Sequence, residues 1–229
     1  MLPFRLVVTD SAAVKKLFIV NGAERIPVQS FEEKGDSVFI TPSVFQTEIR
    51  AELKDGFDGK YMEGVWIDHA RVGDYRIPFI ATNAPLVTEE SDYLPGDFSG
   101  KWEVHFSPGT VDSSVAVGIF SQNKKSVTGT FLTTTGDYRF LAGDIFENQM
   151  VLSAFDGAHA FLFNATLLKD GTLKGKFWSG KHWTENWIAK RNDNFQLPNA
   201  STITQLKSGW KSLQFSFPDA DSNLVALTD

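Results

Sequence analysis

Cysteine is absent from the 229 residues, which excludes disulfides, thiolate nucleophiles and thiolate metal sites within them and leaves the redox compartment open. Basic residues are the scarcer charged class, 22 against 28 acidic, and they are dispersed, giving a net charge of −6 and a pI near 5.3. Nucleic acid is therefore not an expected partner, because phosphate binding draws on clustered Lys and Arg. No apolar run approaches the roughly 18–20 residues of a membrane-spanning helix. The opening residues Met1, Leu2, Pro3, Phe4 and Arg5 lack the charged and apolar regions of a secretory signal, so the sequence reads as cytosolic or as starting after such a signal.

What is plentiful is apolar and aromatic. Hydrophobic residues make up 42% and charged residues only 22%, a balance that places the chain outside the disordered class. Helical periodicity is scarce. Short runs rich in Val, Ile, Phe, Thr and Trp recur instead between turn signals, which predicts an all-β chain of antiparallel meanders. Asn21-Gly22 between Leu17–Val20 and Arg25–Val28 reads as a type I′ hairpin turn. Further strands are expected near 37–41, 45–53, 60–68 and 75–82, then a linker at 85–96.

Beyond that linker, eight strands are expected at 101–107, 114–121, 125–134, 138–145, 149–155, 158–168, 172–179 and 182–191. Alternation puts Trp102, Val104 and Phe106 on one face of the first, and His159, Phe161, Phe163, Ala165 and Leu167 on one face of the sixth. Eight sequential antiparallel strands suffice to close a small barrel and remove its edges. The domain reading is a β-meander subdomain at 1–84, the linker, a lipocalin-like eight-stranded barrel at 97–192, and a connector at 193–229 leading into a further domain. The segment Lys54-Asp55-Gly56 followed by Gly64-Val65-Trp66 echoes Lys169-Asp170-Gly171 followed by Gly175-Lys176-Phe177-Trp178. A duplicated meander and shared turn chemistry both account for the echo.

Three kinds of chemistry are open to these residues. A hydrolase would pair Ser153, His159 and Asp156, but on adjacent strands with no Gly-x-Ser-x-Gly elbow. A metal site would gather His69, His105, His159 and His182 with Asp68 or Glu185; Asp68 and His69 are strand neighbours that point apart, so neither a metal nor any other cofactor is expected. A small-ligand carrier would use Tyr138, Arg139, Asp156, His159, Trp178, His182 and Trp183 at the ends or interior of the barrel. Against the carrier stands a plainer reading in which the aromatic side chains fill the interior and Asp137 and Asp156 shape turns. Gly100-Lys101-Trp102 is similar to the Gly-x-Trp opening of lipocalin-like barrels, which implies that Trp102 packs beneath Arg191 of the last strand.

The segment Phe215-Ser216-Phe217-Pro218-Asp219 with Leu224-Val225-Ala226-Leu227 resembles the lead-in to the thioredoxin-like domain of TlpA-like, redoxin and AhpC/TSA-like proteins. The stretches Asn21–Val28, Thr128–Arg139 and Phe155–Phe163 resemble the amino-terminal β region of a Gram-negative subgroup of that family. The resemblance implies a periplasmic or cell-envelope thiol-disulfide oxidoreductase whose Cys-x-x-Cys domain is missing from these residues. It assigns this chain a non-catalytic part: positioning the redox domain, or binding the substrate protein whose disulfides are reduced. A thiolate is the attacking species in such exchange, so these residues alone cannot perform it. The tail at 212–229 is expected to pair less with the rest of the chain than 101–191 does.

Overall fold

Alternation of buried and exposed side chains marks strands such as 37–42 and 100–106 in the computed structural model, which describes residues 2–11, 14–42, 44–57, 59–83, 96–199 and 204–226. These residues are all-β, with every strand pair antiparallel. The first sheet is a seven-stranded meander: β1 (Arg5–Ser11), β2 (Val14–Asn21), β3 (Glu24–Lys34), β4 (Ser37–Pro42), β5 (Thr47–Gly56), β6 (Gly59–Asp68) and β7 (Arg76–Thr82). Strand β1, rich in Leu and Val, is one that the sequence reading did not identify. The sheet curls around Leu17, Ile19, Val38, Ile40, Ile49, Ala51, Trp66 and Phe79 but does not close on itself.

The second sheet does close. It comprises β8 (Gly100–Phe106), β9 (Ser114–Asn123), β10 (Ser126–Thr133), the two-residue β11 (Gly136–Asp137), β12 (Leu141–Phe146), β13 (Gln149–Phe155), β14 (Ala160–Leu167), β15 (Leu173–Ser179) and β16 (Trp183–Arg191). Eight of these form a ring, because β16 returns to pair with β8, and β11 is a short appendage on β10. The strand expected at 138–145 is instead broken, since Arg139 takes a positive φ of 59° and turns the chain between β11 and β12.

The ring is filled by rings. Phe163 stacks between Phe131 and Phe177 at centroid separations of 4.4 and 4.3 Å, and Trp187 meets Phe131 edge-on at 5.3 Å. Trp102, Phe106, Phe131, Phe163 and Trp187 are all fully buried. Burying one such side chain contributes about 1.5–3 kcal/mol, and paired rings add about 0.5–1.5 kcal/mol. At the closing seam Trp102 lies opposite Arg191, whose guanidinium sits 4.6 Å from the indole centroid. The same guanidinium donates to the carbonyls of Ser99 and Asp97.

The echo between the halves has a structural counterpart. Gly64 lies between Ala51 and Phe79 in one row of the first sheet, and Gly175 lies between Ala165 and Trp187 in one row of the barrel. A Cβ at either glycine would fall about 2 Å from the carbonyl oxygen of the preceding strand, 1.9 Å at Arg50 and 2.2 Å at Asn164. Both rows therefore coil in the same way and need glycine at the same place.

The chain divides into two compact units between Phe195 and Gln196, both sheets lying in the first. In the second, β17 (Ser216–Pro218) pairs with β18 (Leu224–Ala226) around a turn in which the Asp219 carboxylate accepts from the backbone of Asp221 and Asn223. Phe215, Phe217, Leu224 and Val225 are exposed there. The expected linker lies outside the described residues except for Gly96, and so do the last three residues of the tail.

Candidate functional site

The Phe155-Asp156-Gly157-Ala158-His159 segment is the turn between β13 and β14, and it stoppers one end of the curled first sheet. Phe155 belongs to that sheet's core, 5.5 Å from Trp66 and 4.4 Å from Phe4 by ring centroid. Asn21, buried at the end of β2, donates to the Phe155 carbonyl at 2.9 Å and accepts from the Phe155 amide at 3.0 Å. Thr47 and the Trp66 indole both donate to the Gly157 carbonyl. Gly157 has φ 100°, and a Cβ there would lie 2.3 Å from the Pro42 ring. Only glycine meets both conditions.

Asp156 is 3% exposed, and its carboxylate accepts from the Ala158 and His159 amides, the His159 ring and Arg139. Burial pushes this carboxyl up, but the hydrogen bonds from His159 and the two amides outweigh it and hold it below the usual range. The bond to Asp156 raises His159 in turn, against burial. Arg139 spans the halves, with one amino group on Asp156 at 3.4 Å and the other on Glu24 of β3.

A second contact lies beside the first. The Tyr75 hydroxyl accepts from the Lys181 amide and shares a hydrogen bond with His182 Nδ1, each at 2.9 Å. Burial, with Arg71 nearby, lowers the pKa of His182. Gly180, with φ 54°, lets this turn approach, since a Cβ there would fall 2.2 Å from the Tyr75 hydroxyl.

The seven candidate ligand residues thus serve different places. Tyr138 faces the barrel core against Phe131, Phe163 and Phe177, and burial pushes its phenol up to about 12. Arg139 and His182 reach across to the first sheet at Glu24 and Tyr75, while Asp156 and His159 bond each other within the barrel's own turn, Asp156 also bonding Arg139 and His159 meeting Phe45 edge-on. Trp178, next to inward Phe177 in β15, lies on the outer face under Lys176, and Trp183 is 49% exposed with its indole on Glu185. The Ser153 hydroxyl donates to the Pro3 carbonyl rather than to His159, so a nucleophile–base pair is not formed. His69 meets Glu48 and His105 meets Glu103, and among the described residues no group of three potential metal ligands exists.

As partners of these turns Asn21, Thr47 and Tyr75 escaped the sequence reading, which placed Asn21 only in a hairpin turn and its flanking segment. Each is a polar or amphipathic residue inside or beside an otherwise apolar alternation, a signal of buried hydrogen bonding. No family model, curated protein or solved structure matches the chain.

Proposed function

We propose that this chain is the non-catalytic recognition and positioning region of a periplasmic or cell-envelope thiol-disulfide oxidoreductase of the TlpA-like and redoxin kind. The observation that carries this reading is the β17–β18 hairpin, in which Phe217, Leu224 and Val225 are 64%, 77% and 54% exposed. A two-stranded hairpin is marginal alone in water, and the sequence of this one resembles the lead-in to the thioredoxin-like sheet of that family. Two further features support a non-catalytic part. His159 is engaged with Asp156 and His182 with Tyr75, and the barrel interior is packed with aromatic rings, which favours a filled core over a carrier's cavity.

The test is a chain extended by a Cys-x-x-Cys thioredoxin-like domain, compared with that domain alone. A recognition role raises kcat/KM for a disulfide-bonded protein severalfold while leaving a small aromatic disulfide unchanged. Equal kcat/KM for the protein substrate would refute the role. Insulin reduction by dithiothreitol should proceed no faster with the present chain than without it, because it holds no sulfur nucleophile.

A further inference from the structure

We propose that the gap between β1 and β7 is a docking slot for one extended segment of another protein, alternating apolar with acidic side chains. The inference stands apart from the redox assignment and rests on strand parity. In an antiparallel meander odd-numbered strands run the same way, so β1 and β7 are parallel edges that cannot close by antiparallel pairing. A single strand antiparallel to both completes the ring. Among the described residues neither edge has a second strand neighbour.

The barrel shows what belongs there. Aligning the Ala51–Gly64–Phe79 row with the Ala165–Gly175–Trp187 row equates β5, β6 and β7 with β14, β15 and β16. The strand with no counterpart in the first sheet is then β8, which pairs antiparallel with both β16 and β9. Strand β8 sends Trp102, Val104 and Phe106 inward and Lys101, Glu103 and His105 outward.

The slot has matching faces. Inside, Val8 opposes buried Leu17 yet is 52% exposed, a core-facing side chain that the described residues leave uncovered. Outside, on the β1 wall, the rows Arg5–Val20–Arg25, Val7–Phe18–Pro27 and Thr9–Lys16 carry three exposed cations and no acid, while on the β7 wall Arg76 and Glu63 are each paired, with Asp74 and Lys54. In a chain of net charge −6 that local excess selects acidic side chains on the outer face of the incoming strand. A second copy fits poorly, because its edge strand brings its own sheet and satisfies only one of the two edges. Pro78 removes one donor from β7, which discourages indiscriminate pairing.

The experiment is hydrogen–deuterium exchange on the full chain with a synthetic ten-residue peptide alternating valine and glutamate, and a valine–lysine peptide as control. The expected result is that β1 and β7 amides slow together by about tenfold or more with the acidic peptide alone. Val8→Asp should abolish the protection. Arg5→Glu, at an exposed position, should shift the preference toward the lysine peptide, and it keeps the test decisive should Val8→Asp disturb folding. Protection of both edges in the free chain would overturn the proposal, as would protection of β1 alone that grows with protein concentration, equal protection by both peptides, or none.

Discussion

Both sheets are meanders joined by short hairpins, and both place a glycine opposite an aromatic residue in the same row, yet one closes and the other stays open. Eight strands let the first and last meet antiparallel, as β8 and β16 do at Trp102 and Arg191; seven leave two edges of the same sense. The interiors differ accordingly. The closed ring is sealed by its own stacked aromatic residues, while the open sheet is built mainly from Leu, Val and Ile and takes Phe155 and Ala160 from its neighbour to cover one end. A sheet that cannot close borrows its lid.

The largest expected effect tests the closed half. Phe163→Ala removes the ring between Phe131 and Phe177 and should cost about 3–5 kcal/mol in denaturant unfolding. A cost below about 1 kcal/mol would mean that the barrel repacks freely and is not the rigid partner of the pair.

Next comes the borrowed lid. Gly157→Ala sets a methyl against Pro42 at a φ of 100°, for about 1–3 kcal/mol of strain. Exchange should quicken at Asn21, Thr47 and Trp66 more than along β8 or β16. Uniform quickening would show that the two halves respond as one and dissolve the contrast.

The smallest effect is a pH dependence at the junction. His159 is raised from 6.5, so its stabilisation is complete below that value and is lost as pH rises through the folded-state pKa. Asp156 is lowered from 3.8, so its contribution is present above that value and is lost as pH falls through the folded-state pKa. Thermal unfolding should therefore show greatest junction stability between these two ordinary values, with a decline on the alkaline side that His159→Gln flattens. An identical profile in the variant would remove His159 from the clamp.

Strand alternation was readable wherever one face meets a core: Trp102, Val104 and Phe106 point inward as their spacing predicts. The break at Arg139 was not, because a residue with a Cβ at positive φ carries no local signature. The junction was legible in part. Asp156 and His159 drew attention by residue type, but type does not separate a catalytic pair from a clamp. The deciding partners, Asn21, Thr47 and Tyr75, are remote in sequence, and no spacing links them to the turns they hold. The openness of the first sheet was hidden too, since its parity depends on counting β1 as a strand.

The borrowed lid also sets an order of assembly as the chain leaves the ribosome. Hairpins β1 through β7 pair only with sequence neighbours, so each can form soon after it emerges. Their apolar end nevertheless stays bare until residues 155–160 have been made, and the barrel that presents those residues is not sealed until β16 reaches β8. Through that interval the nascent sheet exposes Trp66 and its neighbours alongside two strand edges, the kind of surface that aggregates or recruits chaperones. The apolar part of that window shuts with one event, the seating of Phe155 between Phe4 and Trp66.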